Sequence, residues 1–393
     1  KTPLCYAPWI TSYEWPDGNI TPCCEYKAKV MQTTEEISLE DRFKHPNMQK
    51  IKLQLMSSDE LPKGCYSCKN LEQVGQGSLR GDFGWKVDAA VENKGYRWNV
   101  DEFKLIHMDY RESNLCNFSC QMCGEELSST LAMIQIKPGT PAWIKGNYGK
   151  GGIVKNYQPL EVYLDKIEDT ESINFLGGEP LLTDSMWTTL KELRRRKIDQ
   201  VDIRIVTNGS LLKRHEDDLF EAVKGFRHVE INVSIDCVSD AHNYWRHKDT
   251  WDTVKKNLDR LYKWKKDGAI LSRGKAAKSV STRTAIGWPN AYAAREVFDM
   301  FRDVDEIDQI WNLVTGQPGL ELPNLPQEEL DNLVEYWKEY PDVADAFKIK
   351  SNPNTFQLAK SKKRLLYQEK YWNNNIIFVD VFPEFKDFYN NIG

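Results

Sequence analysis

The sequence predicts an α/β fold: a partial (β/α)6 TIM-like barrel on an open parallel sheet, preceded by a small cysteine-bearing module and followed by a helical extension. Three observations carry this reading. From about residue 105 to 315, short apolar runs alternate with longer amphipathic stretches, the pattern of strand–helix units joined by right-handed crossovers. Six strands can be counted, too few for a closed eight-stranded barrel. Eight of the nine cysteines fall in the first third of the 393-residue chain, in two sets.

In order along the chain, residues 1–98 read as a small irregular module with turns at Pro16-Asp17-Gly18-Asn19 and Leu61-Pro62-Lys63-Gly64. The first turn, between Tyr13/Trp15 and Ile20, predicts a short β-hairpin. A segment so poor in regular apolar patterning needs a staple, which a metal centre would supply. Residues 99–318 form the barrel. Its strands are expected at 105–110, 172–176, 202–206, 229–235, 282–286 and 309–313, with helices at about 124–137, 184–197, 211–224, 250–266 and 290–303. The Gly/Lys-rich stretch 139–158 reads as a solvated loop or as a lid over substrate. Residues 319–393, aromatic and charged, predict a helix or two packed on the barrel.

Composition narrows the function classes. The chain is 40% hydrophobic and 28% charged, which suits a globular core. A net charge of -5 argues against a dedicated nucleic-acid binder. No run of about 18 apolar residues suggests a membrane span, and no leader of signal-peptide type is seen. Cysteines in such a chain point to a reducing, cytoplasmic setting and to metal or catalytic use.

Cys116-Asn-Phe-Ser-Cys120-Gln-Met-Cys123 sets three thiols on one loop directly after the first expected strand. The C-terminal strand ends of parallel barrels carry active sites. Three thiolates can hold three irons of a 4Fe–4S cube and leave the fourth open to a substrate or cofactor; clusters are ordinarily held by four. Three buried cysteines or a partial zinc site are the plain alternatives.

Cys-x3-Cys-x2-Cys at this place resembles the radical SAM superfamily, and later motifs extend the resemblance over about residues 105–315. Met122 stands where that family usually has an aromatic residue near the adenine. Phe175-Leu-Gly-Gly-Glu-Pro180 matches the GGE motif, so the resemblance implies that Gly177, Gly178 and Glu179, followed by Pro180, hold the amino group of S-adenosylmethionine. The third strand ends in Val-Thr207-Asn-Gly and the fourth in Ser234-Ile-Asp236. Thr207, Ser234 and Asp236 are the implied polar contacts to the cofactor, the last two to its ribose and carboxylate. Arg246 either pairs with that carboxylate or forms a surface salt bridge; Ile286 either packs on adenine or is core. The implied activity is reductive cleavage of S-adenosylmethionine to a 5′-deoxyadenosyl radical that abstracts hydrogen from a substrate. A flavodoxin- or ferredoxin-type donor would supply the electron.

Upstream, Leu-Cys5-Tyr-Ala-Pro-Trp, Pro-Asp-Gly-Asn-Ile-Thr-Pro-Cys23-Cys24 and Gly-Cys65-Tyr-Ser-Cys68 are similar to SPASM and twitch modules, which hold an auxiliary 4Fe–4S cluster but usually follow the barrel. Spacing alone suits zinc; the neighbouring radical SAM-like loop favours a second iron–sulfur cluster on Cys5, Cys23, Cys65 and Cys68. Cys24 is a neighbour, an alternative ligand or a buried residue, and Cys237 a small buried one. Asp109 and Arg111 face the cavity or brace it. His242 and His247 are the candidates for proton transfer. Three function classes follow: modification of a peptide or protein side chain, with the auxiliary cluster assisting electron transfer; dehydrogenation of a small molecule such as a sugar or aminocyclitol; and a non-catalytic iron–sulfur scaffold, which would need no pocket for S-adenosylmethionine.

Overall fold

Six parallel strands lie side by side in chain order: β1 (His107–Tyr110), β2 (Ser172–Phe175), β3 (Asp202–Thr207), β4 (His228–Ser234), β5 (Lys278–Ile286) and β6 (Ile307–Leu313). This comes from a computed structural model that describes residues 2–15, 18–73, 77–135, 153, 155–247, 250–267, 271–272, 275–276, 278–304, 307–314, 317–372 and 376–393. Pairing runs in register from Tyr110–Phe175 through Phe175–Ile205 and Ile205–Ile231 to Val280 and Ile307. The sheet is the partial barrel expected from the sequence. Its outer face is apolar: Ile173, Phe175, Ile203, Ile205, Val229, Ile231 and Val280 are buried. Against that layer pack Met186, Trp187, Leu190 and Leu193 of one helix and Val254, Leu258 and Leu261 of another.

Residues 39–94 are mostly helical, against the expectation of an irregular module. They hold α1 (Leu39–Lys44), α2 (Pro46–Ser57), α3 (Tyr66–Gln73) and α4 (Leu79–Lys94). Met48, Ile51 and Leu55, and again Phe83, Val87 and Ala90, are spaced to line one helix face among charged neighbours. The expected hairpin is present, Tyr13–Glu14 pairing with Asn19–Thr21, and Met31–Gln32 adds a third strand. Its turn at Pro16-Asp17 lies outside the described residues, as does most of 139–158.

The helix expected over 211–224 is instead a small hairpin, Lys213–Arg214 against Asp217–Asp218, followed by one turn at Leu219–Ala222. After β6 the extension has more than the one or two helices expected. Among them are α5 (Gln327–Tyr336), α6 (Pro341–Ala346), α7 (Thr355–Trp372) and α8 (Lys386–Asn391). They share a core with Trp288, Trp337, Phe347 and Phe378. No helix among the described residues is long and apolar enough to cross a membrane.

Candidate active site

The C-terminal strand ends surround a cavity of about 580 Å3. Cys116, Cys120, Met122 and Cys123 form one side of it; Gly177, Gly178, Thr207, Asn208 and Ser234 of the strand ends form another. The loop keeps its shape through hydrogen bonds to its surroundings. Ser129 and Thr130 donate through their hydroxyls to the carbonyl of Cys116. The backbone N–H of Gln121 donates to the carbonyl of Trp245 at 2.9 Å. Arg364, on α7, donates to the carbonyl of Cys123 at 2.9 Å. That last residue comes from the extension and was not foreseen; nothing in its local sequence marks it.

Gly178 is required by contact with the loop. A Cβ there would lie 2.2 Å from the carbonyl oxygen of Leu115, and the N–H of Glu179 donates to the same oxygen at 2.7 Å. Gly177 has φ +128°, which favours glycine. The end of β2 is thereby seated directly on the cysteine loop.

Glu179 does not line the cavity. Its carboxylate is buried behind the wall and accepts from the Thr207 hydroxyl at 2.7 Å, the Asn208 N–H at 2.7 Å and the Leu181 N–H at 3.2 Å. Burial raises its pKa to about 7, with these donors opposing. Asp236 is likewise set back. It accepts from the Ala285 N–H at 2.7 Å and pairs with Arg246 Nε at 2.7 Å. Burial raises the Asp236 pKa while Arg246 opposes the rise. Arg246, on the wall, reaches Cys120 Sγ through Nη1 at 3.9 Å. It is therefore a buried, paired cation and not a surface bridge.

Pro180 is buried in the turn that follows Glu179. Ile286 is fully buried in the C-terminal core rather than on the cavity wall. His242 is buried and held neutral, its pKa lowered to about 3 by burial and by Arg246, so it is uncharged at neutral pH. His247 stacks on Phe118 at 5.5 Å and exchanges a hydrogen bond with Ser119. Cys237 is fully buried.

Burial, then Cys120 and Glu179, push Cys116 well above the usual thiol range; burial pushes Cys123 up to about 12. Thiols so placed stay protonated until a cation takes them as thiolates. Among the described residues no three His, Cys, Asp or Glu side chains converge tightly enough for one metal ion. The donor chemistry fits an iron–sulfur cluster, which binds each thiolate through a separate iron: three soft sulfurs on one wall, with the cation of Arg246 beside them.

The N-terminal cysteines separate into a group and an outlier. Cys5, Cys65 and Cys68 lie near one another and near Arg80, and Cys23 lies near Cys5 and Cys65. Gly64 precedes Cys65 because a Cβ would strike the ring of Tyr26 at 2.4 Å. Cys24 points elsewhere. It lines the main cavity with Tyr13, Trp15 and Arg111, and faces Asp109.

Residues 112–270 match the family described as "Radical SAM superfamily". That segment of the chain is similar to a radical SAM domain. Its cysteine loop, GGE strand end and the ends of β3 and β4 all fall inside that span. GTP 3',8-cyclase of Staphylococcus epidermidis (strain ATCC 12228 / FDA PCI 1200) is 41% identical over 71 residues, 18% of this chain and 19% of that protein. GTP 3',8-cyclase of Staphylococcus carnosus is 27% identical over 197 residues, 49% of this chain and 55% of that protein. The match to these curated relatives thus spans between about a fifth and about half of their length. Among solved structures, "Native anSMEcpe with bound AdoMet" has a TM-score of 0.41 at 17% identity, covering 62% of this chain and 63% of that one. Streptococcus suis SuiB bound to S-adenosylmethionine has a TM-score of 0.38 at 14% identity, covering 76% and 59%.

Proposed function

We propose that the chain is a radical SAM enzyme that takes a hydrogen atom from a side chain of a peptide or protein. The observation that carries the reading is the single cavity shared by Cys116, Cys120 and Cys123 and the ends of three successive strands. When bound, a 4Fe–4S cluster and S-adenosylmethionine supply a carbon radical able to break a substrate C–H bond.

The chain's own residues would bind, orient and exclude water. Cys116, Cys120 and Cys123 hold the cluster. Gly177 and Gly178 allow the cofactor to approach the backbone, while Thr207, Asn208 and Ser234 offer polar groups to it. The Met122 thioether packs on its ring. Arg246, oriented by Asp236, offers a cation to its carboxylate. Glu179 acts from behind the wall by fixing the end of β3, a positioning role in place of direct contact. Cys5, Cys23, Cys65 and Cys68 would hold an auxiliary cluster, which would supply electron transfer between the cavity and a flavodoxin- or ferredoxin-type partner. A small polar substrate is the second reading; the polar inner face of the sheet below the cavity favours it.

Anaerobically reconstituted protein should bind about eight irons per chain, two 4Fe–4S clusters. With dithionite it should convert S-adenosylmethionine to 5′-deoxyadenosine. A Cys116/Cys120/Cys123→Ala variant that still did so would overturn the assignment.

A further inference from the structure

Strands buried on both faces usually read as continuous apolar runs. Here Ser172-Ile-Asn-Phe, Asp202-Ile-Arg-Ile and His228-Val-Glu-Ile-Asn-Val-Ser alternate. The register turns that alternation into polar tiers across the inner face. Asn174, Arg204 and Glu230 sit level with one another, Asn232 sits level with Ser281, and Ser234 with Arg283. The lower tier lines a second cavity, of about 760 Å3, under α4; the upper tier reaches the cysteine cavity at Ser234.

The charges on this face do not balance. Arg204 pairs with Glu230 at 2.6 Å, and Asn232 Nδ2 donates to the same carboxylate at 2.8 Å. Asp109 faces Arg111 and Cys24. Lys86, at the lower mouth, has Asp82 and Asp202 nearby. Arg283 has no hydrogen bond or ion pair from its guanidinium among the described residues, and its Nε is buried without a partner. Burial and Arg204 both act against its charge; only the already engaged Glu230 favours it. Two acceptors are orphaned on the same face: Asn232 Oδ1 and Asp109 Oδ1, in residues 0% and 5% exposed. A guanidinium with no counter-anion and a buried, unpartnered Nε, with the donorless Asn232 Oδ1 on the neighbouring strand, is costly unless a ligand supplies both.

We propose that the inner face binds the anionic group of the substrate, a carboxylate or a phosphate, with Arg283 pairing the anion and Asn232 Oδ1 accepting an N–H or O–H from the same molecule. Arg283 stands level with Ser234 on the cavity wall, so an anion held there anchors a substrate whose remainder points at the cysteine loop. Calling this ligand the substrate rests on the radical SAM reading; the binding itself does not.

The test uses the full reconstituted chain titrated by calorimetry with inorganic phosphate and, separately, with succinate, at constant ionic strength set by chloride. One or both should bind. Binding of phosphate alone assigns a phosphate ligand, and binding of succinate alone a carboxylate. Arg283→Gln should weaken that binding about tenfold or more, and Arg283→Lys less. The exposed Lys263→Gln should change nothing. Failure of both anions to bind, or Arg283→Gln and Arg283→Lys proteins that bind like wild type, would overturn the proposal. Release of 5′-deoxyadenosine is measured on the same samples. Anion binding that depends on Arg283 in a protein that never cleaves S-adenosylmethionine would keep the anion site and sink the enzyme assignment.

Discussion

At the residue scale, the surplus thiol Cys24 separates two accounts of the N-terminal cysteines. It faces Asp109 on the cavity wall, while Cys5, Cys65 and Cys68 gather near Arg80 with Cys23 beside Cys5 and Cys65. Cys24→Ala should therefore keep about eight irons per chain, and Cys65→Ala should fall to about four. Iron analysis with Mössbauer spectroscopy reads this directly; loss of a cluster in Cys24→Ala would make Cys24 a ligand. Glu179 gives a second prediction. Its carboxyl has a folded pKa of about 7 against an ordinary 4.5. A raised pKa means stability present below pH 4.5 and lost as pH rises through 7, here roughly 3 kcal/mol. Wild type should lose stability relative to Glu179→Gln between about pH 4.5 and 7, and the difference should level off above that. Denaturant unfolding across this range checks it; parallel pH profiles for the two proteins would show that Glu179 is ionised throughout. The motif residues were readable in the sequence because their chemistry is unusual. Whether they touch the cavity was not, because Glu179 and Asp236 are spent on neighbouring strand ends whose register no local pattern reveals.

At the element scale, all six strands were readable because each is a short apolar run bounded by turns, and such runs survive on the outer face of the sheet. What escaped notice was the polar half of the same alternation, Asn174, Arg204, Glu230 and Asn232, which marks the inner face as wet. The helices α1 to α4 also escaped. Their apolar positions are few, three per helix in α2 and α4, and charged residues dilute the period. The joint between β2 and the cysteine loop is the element-level feature most exposed to a single change. Gly178→Ala would set a Cβ 2.2 Å from the Leu115 oxygen, a backbone atom that cannot swing away. It should cost about 1–3 kcal/mol and shift the loop. The expected outcome is a lower denaturation midpoint together with a cluster lost faster to a chelator. Wild-type stability and chelator resistance in Gly178→Ala would mean that the loop and strand separate freely.

At the scale of the whole molecule, α4 is tied to the foot of the barrel through a buried carboxylate. Glu171, 1% exposed, lies just before β2, and its Oε2 accepts from Arg227 Nη1 at 2.8 Å and from Asn93 Nδ2 of α4 at 2.8 Å. Lys94, also on α4, lies 3.8 Å from its other oxygen and donates to the carbonyl of Thr170 at 2.7 Å. One side chain thus serves two contacts: it neutralises Arg227, buried beside it, and it holds α4 under the sheet. Glu171→Ala breaks both. Removing one partner of a buried pair costs about 3–5 kcal/mol, and the low end applies because Asp202 still pairs with Arg227 Nε at 2.7 Å. A compensating change separates the contributions. In Glu171→Ala/Arg227→Met the stranded charge is gone, so most of the global stability should return. The attachment of α4 should not, because Asn93 and Lys94 still lack their carboxylate. Denaturant unfolding should therefore show a deep loss in the single variant and partial recovery in the double one. Hydrogen exchange should show α4 amides opening faster than those of β2 and β3 in both. If the double variant protected α4 as wild type does, Glu171 would matter only as the counter-ion of Arg227, and α4 would be held under the sheet by its other contacts.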